Sequence, residues 1–425
     1  MTKIKNQYSK SLNDLCKKLV LLSVASSSVL MAGGYKIPDT SLDGIALCAA
    51  NVAHASGADA AYYNPANMNF MHDENTLEVD VMSIALSDIN YQGSYTSSAG
   101  ATTTGHNLDS QKEHFFIPSL HYVSANMSGT RFGLSILSPA GLSKRWETQP
   151  AKSSAEEFTL KVVEINPSVS FLVSNKVSVG LGFRALYSEG AVKASYPTVY
   201  SQDMKGDSID YGYNAALSYK PTSELDIAFT YRSQVNLTEE GKATLFYDAN
   251  GPAAGGVALN SKYDTGVTIP IPATMSLAAA YTFPTKTTLE LVYERNIWSA
   301  YSELDFNYAN PTAEAVFGSV KQKNWNDTNT FRLGITQELE NFTLMAGAVL
   351  DKTPVPVETI GFELPDSNSL SVSLGGRYQI TQKVNIGLAA LYSMREDREV
   401  ANASLSGEFT NSKVLALSTG LEYKF

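Results

Sequence analysis

The chain has 425 residues, with 42 acidic against 32 basic side chains and a formal charge of −10. That acidic excess excludes nucleic acid as the partner, which calls for a basic stripe. Only 17% of residues are charged, yet there are 23 Tyr and 17 Phe, a composition suited to meeting lipid without spanning helices, and a closed β-barrel is the other way to satisfy every backbone group in hydrocarbon.

Residues 1–32 read as a secretory signal peptide. Lys3, Lys5, Lys10, Lys17 and Lys18 precede an apolar stretch from Leu19 to Ala32, and the small Gly33 and Gly34 follow. That stretch is 14 residues long with four serines, short of the roughly 20 apolar residues a spanning helix needs. Without residues 1–32, which hold those five lysines and Asp14, 27 basic side chains face 41 acidic ones, a charge of −14. Cys48 is then the lone cysteine and reads as a small packed side chain.

Residues 33–75 do not alternate and are rich in Ala, Gly and Asn. They are too polar to face lipid, and Gly44, Gly57 and Pro65 allow tight coiling inside a wider structure. A disordered tail is the other reading, which few charges and many alanines oppose.

From residue 76 onward one unit repeats: an alternating segment of roughly ten residues, then a turn-rich stretch. Leu225, Ile227, Phe229 and Tyr231 alternate with Asp226, Ala228 and Thr230, and Val177, Val179, Leu181 and Phe183 with Ser178, Gly180 and Gly182. Fourteen strands are predicted: near 76–89, 114–126, 130–138, 157–173, 176–193, 208–219, 224–237, 267–282, 286–308, 325–338, 341–351, 369–380, 383–395 and 413–425. Tight turns fall at 126–130, 174–176, 220–223, 283–286, 339–341 and 380–383. Between them lie long connections at 90–113, 139–156, 194–207, 238–266, 309–324, 352–368 and 396–412. Short periplasmic turns alternating with long outer loops are the habit of up-and-down membrane barrels. The last strand carries Leu415, Leu417, Leu421, Tyr423 and Phe425 on one face. Pairing it with the first strand removes both sheet edges, and its terminal Phe425 suits recognition by the barrel insertion machinery. The expected fold is all-β: a 14-stranded antiparallel transmembrane β-barrel over 76–425, with residues 33–75 as an N-terminal plug in a lumen too wide for its own side chains to fill.

A hydrolase would need a nucleophile, a base and an orienting group. His54, His72, His106, His114 and His121 come with no Ser-elbow pattern or metal-ligand spacing, so neither an enzyme nor a cofactor is expected. Trp146 and Phe158, before and within the fourth strand, offer a small apolar landing site.

Asn64-Pro65-Ala66 in the small-residue segment, Pro354-Val355-Pro356, and Leu364-Pro365-Asp366 ahead of the strand at 369–380 resemble, in order and spacing, the FadL family of long-chain fatty acid transporters. The resemblance covers nearly the whole mature chain. It implies a fourteen-stranded barrel with an N-terminal hatch and a kinked third strand that leaves a lateral gap into the membrane. Pro139 and Gly141 then lie at that gap; the alternative is that they only begin the outer loop. By position before Arg332-Leu333-Gly334, Lys321 matches a basic residue that holds the ligand carboxylate, and Lys193 falls near a second basic position where the family has arginine. A lysine at a strand end can equally be a solvated rim charge. Tyr35 matches an aromatic of the inner pocket. The 194–207 connection is shorter than the family's outer loop, which puts an outer capture groove in question. The resemblance implies a monomer in outer-membrane lipid that passively carries long-chain fatty acids or other apolar ligands. Aromatic-hydrocarbon uptake, a general porin and an adhesin are the alternatives.

Overall fold

Alternation of apolar and small or polar residues gives each strand two unlike faces, and the sheet closes so that the apolar face points outward. The computed structural model describes residues 33–248 and 258–425; the expected signal peptide lies outside them. Fourteen strands form the barrel: β1 (Thr76–Leu86), β2 (Glu113–Val123), β3 (Thr130–Leu137), β4 (Glu157–Ser174), β5 (Val177–Tyr196), β6 (Tyr200–Tyr219) and β7 (Leu225–Arg232), then β8 (Ala273–Thr282), β9 (Thr287–Ile297), β10 (Thr328–Glu338), β11 (Phe342–Asp351), β12 (Ser369–Thr381), β13 (Val384–Arg395) and β14 (Lys413–Lys424). Neighbours are antiparallel, and β1 pairs with β14 from Thr76↔Lys424 to Leu86↔Val414. That closure joins the first strand to the last, so neither end of the sheet presents an unpaired edge to lipid, where each unsatisfied backbone group costs several kcal/mol.

The two faces differ as the sequence pattern requires. On β12, Leu370, Val372 and Leu374 are exposed while Ser369, Ser371 and Ser373 are buried. On β14, Leu415, Leu417 and Leu421 point out, and Ala416, Ser418 and Glu422 point in. An aromatic belt marks the short-turn rim: Tyr219, Tyr281, Phe283, Phe342, Tyr378, Tyr423 and Phe425 are all exposed there, as at a membrane interface. The turns at this rim are tight. In the one before β3, Gly129 adopts φ 87° and its N–H donates to the Asn126 side chain at 2.7 Å.

The opposite rim departs from the simple pattern. The expected long connection at 194–207 is absent: β5 and β6 run on as 20-residue strands joined by residues 197–199 alone. The 238–266 connection contains strands of its own, Val235–Tyr247 and Leu259–Ile271, which extend β7 and β8 as a paired hairpin. The predicted strand at 286–308 ends at Ile297 and gives way to a short 3-10 turn, Trp298–Ala300. The two connections beside the barrel seam fold together. Asn90–Thr96, Thr102–Asp109, Arg398–Ala401 and Leu405–Thr410 form a separate four-stranded sheet.

Residues 33–71 meet the inward face of the wall on many sides. They form short helices, Leu42–Ala46 and Ala60–Tyr63, and the 3-10 turn Pro65–Phe70. The first helix and the 3-10 turn are capped by side chains: Ser41 accepts from the Gly44 N–H and Asn64 from that of Ala66. Inward glycines let this backbone approach. A Cβ on Gly347 of β11 would sit 2.3 Å from the Leu47 carbonyl carbon, and one on Gly180 of β5 2.5 Å from the Ala66 nitrogen. Charged wall residues hold the backbone elsewhere. Glu290 accepts from the N–H groups of Val52 and Ala53, both at 2.7 Å, and Arg332 donates to the Cys48 carbonyl at 2.9 Å.

Candidate functional site

The interior divides into two zones. At mid-barrel and towards the short-turn rim it is charged. Arg184 and Arg232 both pair with the buried Glu164, Lys36 and Arg332 with Glu294, and Arg377 bridges Asp43 and Glu78. Towards the long-loop rim the interior is apolar, a continuous cluster that includes Leu142, Phe158, Leu160, Leu186, Leu237, Ile269, Trp298, Trp325 and Phe362. An apolar molecule is stable in the second zone and would have to break paired charges to descend through the first.

Within the apolar zone a narrow pocket is lined by Tyr35, Leu142, Phe158, Leu160, Ile269, Tyr301, Lys323, Trp325, Glu363 and Leu364. Gly34 delivers Tyr35 to it: its φ is 73°, and a Cβ there would lie 2.6 Å from the Trp298 ring. The Tyr35 ring then sits 4.9 Å from Trp298, edge-on, and 5.6 Å from Trp325, while its hydroxyl donates to the Pro270 carbonyl. Two polar features interrupt the apolar wall. The Lys323 ammonium lies 2.5 Å from Glu363, and the buried Trp325 indole N–H has no hydrogen-bond partner among the described residues. Burial pushes the Glu363 carboxyl up, but the ammonium groups of Lys323 and then Lys321 outweigh it and hold the carboxyl below its ordinary value. The Lys323 ammonium pairs with this carboxylate in the pocket, while the exposed Lys321 acts on it only through its charge from outside. Burial, and then the Glu363 charge, push the Tyr301 hydroxyl far above its usual value, so it stays neutral.

The pocket adjoins a break in the wall. Proline has no N–H for the ladder, and β3 stops at Leu137, resuming as a short strand, Gly141–Lys144. β2 and β3 pair only from Leu120↔Ile136 to Val123↔Gly133. Further up, contact returns where Gln111 N–H donates to the Arg145 carbonyl at 2.9 Å. Between these points the broken strand pairs inward instead. The Ile37 N–H donates to the Pro139 carbonyl and the Gly141 N–H to the Tyr35 carbonyl, both at 2.8 Å. Pocket residues Tyr35 and Leu142 therefore flank the break directly.

The model of the family described as outer membrane protein transport protein (OMPP1/FadL/TodX) matches residues 22–425. The chain belongs to that family. It is similar to the long-chain fatty acid transport protein of Escherichia coli K12, at 22% identity over 94% of this chain and 96% of that protein. Among solved structures it resembles a Pseudomonas aeruginosa FadL homologue, with TM-score 0.81 and 21% identity over 92% of this chain and 100% of the other. It also resembles the Ralstonia pickettii toluene transporter TbuX, with TM-score 0.69 and 16% identity over 91% and 98%. The protein is thus an outer-membrane transporter of hydrophobic compounds, and its family consists of transport proteins rather than enzymes.

In this FadL/TodX barrel the residues singled out from sequence scatter. Tyr35 and Phe158 meet at the pocket. Pro139 and Gly141 lie at the interruption of β3. Lys193 does not reach the pocket: on β5 its neighbour Val192 faces inward, so Lys193 faces out, where it pairs with Glu157 at 3.0 Å. Lys321 is exposed, opposite Leu304 in a two-residue ladder, and the buried pocket lysine is Lys323. Trp146 is no exposed landing site. It is fully buried, donating to the Phe362 carbonyl at 2.8 Å. In the Asn64-Pro65-Ala66 triplet the asparagine fixes backbone, donating to the Val52 carbonyl at 2.7 Å and to Ser218 at 2.9 Å. Sequence reasoning missed Trp325, Tyr301 and Glu363 as site residues. The one available signal was the aromatic spacing Trp298, Tyr301, Trp325 around a loop.

Proposed function

We propose that this protein passively carries long-chain fatty acids, with residues 33–75 as a plug that closes the lumen and the break in β3 as a lateral exit into the membrane. The carrying observation is the placement of an apolar pocket, holding an ammonium and an unpaired indole N–H, directly against the interruption of the β2–β3 ladder. The chain buries in the pocket at roughly 0.8 kcal/mol per methylene. The carboxylate takes the Lys323 ammonium and the Trp325 N–H, both charge-assisted bonds. The charged interior below disfavours axial descent, so the acyl chain leaves sideways. Exposed Tyr423 and Phe425 at the end of the closing strand are offered to the insertion machinery, and the protein works as a monomer.

An ammonium in the pocket favours an acid over an uncharged aromatic hydrocarbon. Lys323→Met should weaken oleate binding about tenfold, the size of one charge-assisted bond, and leave toluene binding unchanged, while Lys321→Met should alter neither. Mass spectrometry of the ligand that co-purifies should show fatty acids. Recovery of aromatic hydrocarbons alone, with oleate affinity indifferent to Lys323, would instead assign the barrel to hydrocarbon uptake.

A further inference from the structure

Where the N-terminal segment meets β1, carboxyls crowd around one guanidinium. Asp43 and Asp59 come from the segment, Glu78 and Asp80 from β1, and Asp59 and Glu78 are fully buried. Arg377 of β12 takes one oxygen each of Asp43 and Glu78, while Ser41 and Asn51 donate to the Asp59 Oδ2 at 2.6 and 2.8 Å. The Asp59 Oδ1 and the Glu78 Oε2 have no hydrogen-bond partner among the described residues. They converge at Gly57, where a Cβ would lie 3.1 Å from the first and 3.3 Å from the second. The Asp80 Oδ1 is unpaired as well and turns towards Gly420. Other titratable side chains nearby have partners of their own. Glu422 accepts from Asn385 and pairs with Lys424, His54 pairs with Asp226, His121 bonds Ser135, and Glu290 holds the N–H groups of residues 52–54.

Two buried carboxylate oxygens that crowd one point without a donor repel each other unless one acid keeps its proton. We propose that the N-terminal segment is seated with a proton on Asp59, and that losing this proton as pH rises loosens the segment from β1. The inference rests on the reading of residues 33–75 as a plug and adds a proton-sensitive hold to it. The same Gly57 lines a polar cavity of about 160 Å³, together with Asp43, Arg377, Glu422 and Lys424. That is room for several waters, which give the cluster a path for proton exchange. Burial, and then the charges of Glu78 and Asp43, push the Asp59 carboxyl well above the usual carboxylate range. A value raised by seating means that the proton holds the segment in full at acidic pH. The hold is lost as pH rises through the raised value.

Cys48 reports the seating. It is the lone cysteine of residues 33–425, fully buried, with its Sγ 3.1 Å from the Ser373 hydroxyl of β12. Its alkylation by a maleimide is timed on the purified wild type and on Asp59→Asn between about pH 5 and about pH 9. The amide keeps an oxygen for Ser41 and Asn51 and turns its NH2 to Glu78, as the protonated acid does, but has no proton to lose. Comparing the two proteins at each pH removes the ionisation of the thiol itself. The rates should match at the acidic end. At the alkaline end the wild type should react about tenfold faster, the change in an equilibrium that one unit of pKa difference makes. Its conductance in planar bilayers should rise in parallel, and that of the variant should not. A rate ratio that stays constant across the range overturns the proposal. A rising ratio with flat conductance upholds the proton-linked seating and counts against the plug reading instead. Should Asp59→Asn fail to insert, Glu78→Gln is measured in its place, with its amide donating to Asp59 from the wall and the same outcomes deciding.

Discussion

The buried Glu239 carboxyl gives stability a pH signature. Its ordinary value is 4.5 and burial raises it to about 8 in the folded protein, so the unfolded chain gives up this proton first. The contribution is fully present below the unfolded value and is lost as pH rises through the folded one. Glu239→Gln cannot ionise. Between about pH 5 and about pH 9 its unfolding temperature should fall less than that of the wild type, leaving it roughly 2–4 °C or more ahead at the alkaline end, as followed by heat-modifiability on gels. Identical pH dependence in the two proteins would show that the carboxyl ionises freely in the fold. At this scale the sequence is a partial guide. Lys321 and Lys323 share a face by a period of two, and nothing local separates them. The separation comes from Ser302, whose carbonyl accepts from the Lys323 N–H at 2.8 Å and fixes the loop backbone where Lys323 turns in against Glu363. Trp325 and Glu363 were unreadable for a related reason, because the pocket draws on separate loops whose contact only the closed barrel creates.

The elements were most legible where lipid is the solvent. There the outward face must be apolar, and β7, β12, β13 and β14 show it residue by residue. Above the lipid band the outward face meets water, the alternation fades, and a strand reads as a loop. That is why 194–207 looked like a connection although β5 and β6 pair through it, with Val192, Ala194 and Met204 still buried on the inner face. The interruption of β3 was legible in Pro139, but its substitute partners, Tyr35 and Ile37, lie about a hundred residues earlier and gave no local sign. The contact between the N-terminal segment and the wall makes its own prediction. Gly347 and Gly180 admit backbone that no side-chain rotation can move aside. Gly347→Val should therefore push the segment off β11 and raise ion conductance in planar bilayers several-fold over a nearly closed wild type, with the barrel still heat-modifiable. Conductance unchanged from the wild type would mean that the segment does not set the barrier.

At the scale of the molecule the arrangement is a division of solvents. Lipid faces the outside, an apolar chamber sits under the long loops, and a charged, hydrogen-bonded interior lies below. The path that avoids the charged zone runs from the chamber past Tyr35 and Leu142 to the break in β3. The measurement that bears most directly on this route is uptake of radiolabelled oleate by cells carrying Pro139→Val with Gly141→Thr, which restore the missing N–H at residue 139 and β-forming side chains at both positions of the broken strand. With the variant folded and inserted at wild-type levels, uptake should fall to the level of cells lacking the protein. Undiminished uptake would contradict lateral exit and return the route to the axis of the barrel.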